Sequence, residues 1–201
     1  DFTSEAKDSK AKTNKSTLLR EIARSFSNPH ISKTLSNDVI RNFFNMISKN
    51  LFRPFPSIRR ESAVDFHDSI FDAAWPHISL VYECLNACSS YSTIKEFPPT
   101  FLSNLVNNTL SPDERERKEA KVALNNIYNK FSSTRFTIRQ RCSYLFNNRK
   151  CSSELLDLFY TVASGLTPPL KNETIEMYNR EILPLHCLDN YSTYYYCLVQ
   201  V

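Results

Sequence analysis

Apolar residues fall at Ala120, Ala123, Leu124, Ile127 and Phe131, the i, i+3/i+4, i+7 spacing of one buried helical stripe. The stretch starts sharply. Ser111 suits a helix cap, Pro112 the first helical position, and Glu114 completes a capping box three residues after the cap. Glu114 and Lys118 add an i, i+4 ion pair on the outside. Ser132–Thr134 interrupts the pattern, and Phe136, Ile138, Cys142 and Leu145 resume it, which predicts two helices joined by a tight turn. Val122, Asn125, Asn126 and Tyr128 gather on another part of the first helix surface.

The same reading extends along the chain. Residues 1–15 are polar, charged and without period, so a disordered tail is expected there. Leu18, Leu19, Ile22, Ala23 and Phe26 predict a helix over Ser16–Phe26, closed by Asn28-Pro29. Ser36 caps the next, which carries Val39, Ile40, Phe43, Phe44, Ile47 and Phe52 and ends at Pro54 and Pro56. Ser57–Asp72 reads as a loop. Ala73–Ser90 is apolar on more than one side, which suits a helix packed between neighbours. Pro98-Pro99 opens a shorter helix with Phe101, Leu102, Leu105 and Val106, and helices over Ser152–Leu166, Lys171–Leu185 and Tyr194–Val201 follow the central pair. Helix pairs recurring about every 40 residues are the period of HEAT-type arrays. The fold class is therefore all-α, a HEAT-like helical-repeat solenoid, or α-α superhelix, over 16–201. It would hold about four helix pairs plus a partial fifth.

Composition narrows the function. A single Gly in 201 residues argues against glycine-dependent hairpins, phosphate loops and dinucleotide turns. The net charge of +4 is mild and the basic residues are scattered among acids, so nucleic acid is not an expected partner. The six cysteines lack zinc-finger spacing and fall mostly in apolar stretches, where they read as reduced core residues; no metal is expected. No apolar run approaches the roughly 20 residues of a membrane span, and an apolar signal region is missing from the amino end. A cytoplasmic or nuclear location is expected. The first residue is Asp1 and the last helix stops without a cap, so the sequence is expected to be a fragment.

Catalytic templates return nothing. None of His30, His67, His77 and His186 stands in a Cys/His or Ser/His arrangement, and each reads as a solvated or satisfied histidine. Asp113, Glu114, Glu116 and Glu119 read as the charged, solvated first turns that a helix start favours. No enzyme and no cofactor are expected. A solenoid of this kind acts by presenting a concave surface to an extended partner. Candidates to line it are Tyr128 as an aromatic wall, Arg135 and Lys171 as positive charges, and Leu158 and Val162 as the floor of a small apolar pocket. Tyr128 equally suits the inter-helix core.

SPDERERKEAKVALNNIYNKFSSTRFTIRQ, from Ser111 to Gln140, resembles a repeat segment of the B-prime regulatory subunits of protein phosphatase 2A. So do NLFRPFP (Asn50–Pro56), AAWPHISLVYE (Ala73–Glu83), GLTPPLKNE (Gly165–Glu173), ILPLH (Ile182–His186) and YYYCLVQ (Tyr194–Gln200), in the same order. The resemblance implies the amino-terminal half of a HEAT-like solenoid that bridges the phosphatase scaffold and catalytic subunits and recruits substrates. It also implies a groove for short linear motifs of the form Leu-x-x-Ile-x-Glu. Carried over by motif, that groove would be Val122, Asn125, Tyr128, Leu158 and Val162 around the isoleucine, and Tyr128 with Arg135 near the leucine. Lys171 would stand beside it, within reach of added acidic groups.

Two departures qualify what the resemblance implies. Where the family carries a His-Arg pair that holds the motif's glutamate, this chain has Asn125-Asn126. An Arg–carboxylate fork exceeds a neutral amide hydrogen bond by about 1–2 kcal/mol, so binding is expected to weaken roughly tenfold or more, with a retained groove and weakened or altered choice at the acidic position. The family commonly has an acidic run before AAWPH, but Ile58–Asp72 carries Arg59 and Arg60 and only scattered acids. The expected function is thus a non-catalytic phosphatase regulator that docks substrates. The alternative is a phosphatase-independent solenoid scaffold that binds peptides or helices of other proteins.

Overall fold

The computed structural model describes residues 9–32, 34–55, 71–90, 94, 96–164 and 169–201. Residues 1–8 of the expected tail, Arg59 and Arg60 with most of their loop, and Gly165–Pro168 lie outside the described residues. Among the described residues the regular structure is helical throughout: α1 (Ser9–Ser27), α2 (Pro29–Ser32), α3 (Asn37–Leu51), α4 (Trp75–Ser90), α5 (Pro99–Asn108), α6 (Glu114–Lys130), α7 (Arg135–Asn147), α8 (Ser153–Ala163), α9 (Asn172–Met177) and α10 (Tyr195–Gln200). The first helix begins at Ser9, seven residues before the apolar spacing predicts, so residues 9–15 of the expected tail are helical.

The helices stack in two rows. One row runs α1, α4, α6, α8, α10, each packed on the next; the other runs α3, α5, α7 and then the turn that follows α9. Cross-contacts α3·α4, α5·α6 and α7·α8 join the rows into successive pairs, as in a helical-repeat solenoid. The two-sided apolar pattern of α4 has this cause: Ile78, Val81, Tyr82, Cys84, Leu85 and Cys88 are buried because the helix sits between α1 and α6 and against α3. Aromatic rings bridge the rows, with Phe44 edge-on to Phe97 (5.4 Å) and Phe101 (5.1 Å), and Phe97 edge-on to Phe131 (5.1 Å). Leu18, Val39 and Phe136, placed by spacing on buried stripes, are exposed instead.

Several predicted boundaries hold. Ser36 Oγ accepts from Val39 N at the start of α3, and Ser152 Oγ accepts from Leu155 N at the start of α8. The predicted helix over Lys171–Leu185 is α9 continued by a wide π-type turn at Tyr178–Ile182 and a tight 3₁₀ turn at Leu183–Cys187, as Pro184 forces a change of winding. With its one Gly elsewhere, the chain ends α7 on Arg149 at φ 56°, closing a Schellman motif through Lys150 N to Leu145 O (3.0 Å).

The start of α6 departs from the capping box. Asp113, not Ser111, caps the helix, accepting from Arg115 N at 2.9 Å. The Ser111 hydroxyl is committed elsewhere: it donates to Glu116 Oε2 at 2.7 Å. Glu116 is fully buried and Asp113 nearly so, which corrects the reading of this turn as solvated. The cause is Arg53, whose guanidinium grips Glu116 at 2.9 and 3.2 Å and Asp72 at 2.6 Å. Asp72 in turn accepts from Ala74 N at the head of α4, and its own N–H donates to Asp113 Oδ2 at 2.9 Å. Arg115 lies over the Trp75 and Phe71 rings at 4.9 and 4.8 Å. One ionic cluster therefore joins the chain after α3 to the heads of α4 and α6.

Protonation reports on this joint. Burial is the largest single influence on the Asp72 and Asp113 carboxyls and raises them, but the arginine hydrogen bonds, backbone N–H donors and arginine charges together hold both below the ordinary 3.8. His77 is buried on α4, 2.6 Å from Asn50 Oδ1, and burial, reinforced by the charges of Lys15 and Arg53, lowers it from 6.5 to about 4. The fold thus favours neutral His77: its contribution is complete above pH 6.5 and is lost as pH falls toward about 4. The aspartates add their loss below about 3.8. Thermal unfolding followed across pH 7.5 to 4.5 is expected to lose on the order of 2 kcal/mol, with His77→Gln flattening that slope.

Candidate functional site

The candidate residues come from three helices that the packing brings together. On α6, Glu119, Val122 and Asn126 lie on one face at i, i+3 and i+7, with Asn125 beside it and Tyr128 further round the helix. This face points away from the buried stripe of Ala120, Ala123, Leu124 and Ile127, all of which are fully buried. Val122 is 44% exposed on this face.

Tyr128 is buried except for an edge, so the core reading and the wall reading describe one side chain: its ring packs between helices and turns a face to Arg135. The Arg135 guanidinium carbon stands 5.4 Å from the centre of that ring. Its Nε donates to Tyr128 O at 3.0 Å and its Nη2 to Asn129 O at 3.2 Å. Those carbonyls belong to the last turn of α6, where a cation is favoured by the helix dipole. Arg135 therefore holds the end of α6 and orients Tyr128, and its guanidinium keeps further donors for an anionic or carbonyl partner.

Across from this face lies α8. Leu158 is fully buried and Val162 nearly so, which makes them packed support between α8 and its neighbours. Lys121 Nζ donates to Asp157 Oδ2 at 2.7 Å and ties α6 to α8 beside Val122. The link acts on Asp157: burial raises its carboxyl, but the Lys121 hydrogen bond leads the contributions that lower it below 3.8. Lower on the same pair, Arg117 Nε donates to Glu154 Oε2 at 2.9 Å. Lys171, at the head of α9, is exposed, and among the described residues its side chain makes no hydrogen bond or ion pair to the others.

At the Asn125-Asn126 position the amides are not equivalent. Asn126 Nδ2 donates to Asn86 Oδ1 of α4 at 3.3 Å, so this residue is engaged toward α4. Asn125 Oδ1 is buried and has no hydrogen-bond donor among the described residues, a costly state that a ligand donor would relieve. Of the expected set, Val122, Asn125, Asn126 and Tyr128 lie on α6, Arg135 contacts the end of that helix, Leu158 and Val162 lie on the adjoining α8, and Lys171 is at the head of α9. Asn86 and Lys121 had escaped the sequence reading. Neither carried a local signal, since their partners, Asp157 for Lys121 and Asn126 for Asn86, lie 36 and 40 residues away along the chain.

Relatives are found along the whole chain. A family model described as protein phosphatase 2A regulatory B subunit (B56 family) matches residues 1–201. The chain is 33% identical over 175 residues to the B' kappa isoform of the 57 kDa regulatory subunit of serine/threonine protein phosphatase 2A from Arabidopsis thaliana, an alignment covering 77% of this chain and 35% of that protein. It is 29% identical to the protein phosphatase 2A regulatory subunit psrA of Dictyostelium discoideum, covering 83% of this chain and 30% of the relative. It is likewise 29% identical to the human beta isoform of the 56 kDa regulatory subunit of the same phosphatase, covering 81% and 36%. The chain spans about a third of the length of these curated relatives.

Proposed function

The chain belongs to the B56 family of protein phosphatase 2A regulatory B subunits, and from that premise we propose that it serves as a non-catalytic regulator that docks substrates for the phosphatase. The array reads as HEAT-like, four helix pairs with a partial fifth, forming part of a longer solenoid. Docking uses the face of α6 opposite α8. The carrying observation is the exposed Val122 on the outer surface of α6, on the same helix whose end presents the Tyr128 ring under the Arg135 guanidinium.

An extended peptide of the form Leu-x-x-Ile-x-Glu sets its leucine near Tyr128 and Arg135 and its isoleucine over Val122, with Leu158 and Val162 supporting it from α8. Its acidic side chain faces Asn125-Asn126. Neutral amides discriminate a carboxylate from an amide poorly, and the lone acceptor at Asn125 Oδ1 favours a donor. Selection at this position is therefore relaxed.

Assembly is the test of the regulatory role. Tagged chain expressed with phosphatase scaffold and catalytic subunits is expected to co-purify with them. Recovery of peptide partners without either of them would favour the phosphatase-independent scaffold instead.

A further inference from the structure

Between Arg135 and Lys150 the chain has five basic residues and no acid. On α7, within this stretch, Phe136, Gln140, Ser143 and Asn147 recur at i, i+4, i+7 and i+11, a stripe opposite the buried Ile138, Cys142 and Leu145. Phe136 is 67% exposed, and Tyr144, beside the stripe, 53%. Eight residues separate the two rings, about 12 Å along the axis. Arg141 holds the second ring: its guanidinium carbon lies 4.4 Å from the ring centre, while its Nε and Nη2 donate to Asn107 Oδ1 of α5 at 2.9 and 2.8 Å. The other helices of this row differ. α3 exposes Val39 next to a self-paired Asp38–Arg41, and α5 exposes no large apolar side chain and has no charged residue.

The charges around the two rings lack counterions. Arg139, Arg149 and Lys150 are exposed, and among the described residues their side chains make no hydrogen bond or ion pair. Carboxylates on the elements packed against α7 are already engaged: Glu154 by Arg117, Asp157 by Lys121, and the buried Glu181 by Ser143, Asn147 and Arg180. Arg180 itself reaches solvent and adds to the positive field.

The layout selects among ligands. The middle of the stripe is aromatic and neutral, and positive charge lies along its margins and at its carboxyl end. An apolar centre with a charged rim suits a protein partner, whereas a nucleic-acid strand requires basic groups that track its phosphates. The α7 backbone uses its N–H and C=O groups within the helix, so it offers no sheet edge to an extended peptide. A partner helix arrives with its own backbone satisfied and needs side-chain contacts alone.

We propose that the outer face of α7 docks an acidic amphipathic helix of another protein, independently of the peptide groove. Charge complementarity defines the occupant. Its apolar residues, at i and i+7 or i+8, cover Phe136 and Tyr144, and its flanking carboxylates meet Arg139 on one margin and Arg149 and Lys150 at the end.

Polarisation on the intact chain tests this with a labelled alanine-based helix of about 20 residues, long enough to be helical alone, carrying leucines at i, i+7 and i+8 spacing flanked by glutamates. A second probe has lysine in place of each glutamate, and a third has serine in place of each leucine. The acidic leucine helix is expected to bind at least tenfold more tightly than either, and less tightly as salt rises. Phe136→Ser, and separately Arg149→Asn with Lys150→Glu, each weaken it at least fivefold, Asn being suited to the left-handed backbone at Arg149. Both variants keep the parent melting temperature, and their affinity for Leu-x-x-Ile-x-Glu stays within twofold of the parent, which separates this face from the groove. Failure of the acidic helix to bind, equal binding of the lysine helix, or an affinity that neither variant changes overturns the proposal. So does tighter binding of single-stranded oligouridylate, which would make the face a nucleic-acid surface instead.

Discussion

Replacing Arg53 by Ala is expected to destabilise the fold by about 3 kcal/mol, near the low end for breaking a buried ion pair, because Glu116 remains buried with no cation to answer it. The side chain that is lost bridges two carboxylates, one of which, Glu116, is only 1% exposed. Its Ser111 hydrogen bond alone cannot compensate a full charge away from water. For a chain of this length the loss corresponds to a fall in melting temperature of roughly 5–10 °C. The partner substitution Glu116→Gln should cost less, since Gln keeps acceptor capacity toward Arg53 and Arg53 is partly solvated. The pair Arg53→Met with Glu116→Leu should recover most of the stability, as apolar replacement of a buried pair is close to neutral. Denaturant melts of the three variants read this directly. Equal stability of Arg53→Ala and the parent would mean that the cluster decorates the joint between α3, α4 and α6 without holding it.

Val122→Glu is expected to abolish anchored peptide binding, with affinity falling at least thirtyfold, and to leave the melting temperature within about 1 °C. The side chain is 44% exposed, so the helix accommodates the change without burying charge. In the docked state the same carboxylate sits against the isoleucine of the motif and must be desolvated there. Tyr128→Ala and Arg135→Glu are less clean tests of the same docking surface. Tyr128 is mostly buried, and Arg135 holds the last carbonyls of α6 at 3.0 and 3.2 Å, so either change also loosens the helix end. Polarisation and thermal melts on the same preparation separate the two effects. A Val122→Glu chain that bound as well as the parent would move docking off this face.

The apolar pattern carried the helices because burial is repeated along each of them. Ala120, Ala123, Leu124 and Ile127 occupy the predicted stripe, and the two-sided pattern of α4 announced a helix with neighbours on several sides. What stayed hidden depends on contacts between distant segments. Glu116 sits one turn before Ala120 on the buried stripe, a position at which a carboxylate requires a cation, but nothing local points to Arg53, 63 residues earlier. The same long-range pairing moved the cap from Ser111 to Asp113. The residues alone suggested Tyr128, Arg135, Leu158 and Val162 as a concave lining, but their assignment to positions of a bound peptide came only from the family resemblance, since Val122 and Tyr128 by themselves suit an ordinary helix surface and core. Asn86 meets Asn126 through the stacking of α4 on α6, for which one helix at a time gives no signal.

The docking groove is the central claim, and polarisation of a labelled Leu-x-x-Ile-x-Glu peptide against the intact chain, beside the same peptide with Leu and Ile replaced by Ala and with Glu replaced by Gln, tests it most directly. Saturable binding is expected, falling at least tenfold without Leu and Ile and changing by less than about threefold with Gln, in line with two neutral asparagines at the acidic position. Binding indifferent to Leu and Ile, or no saturable binding at all, would contradict it.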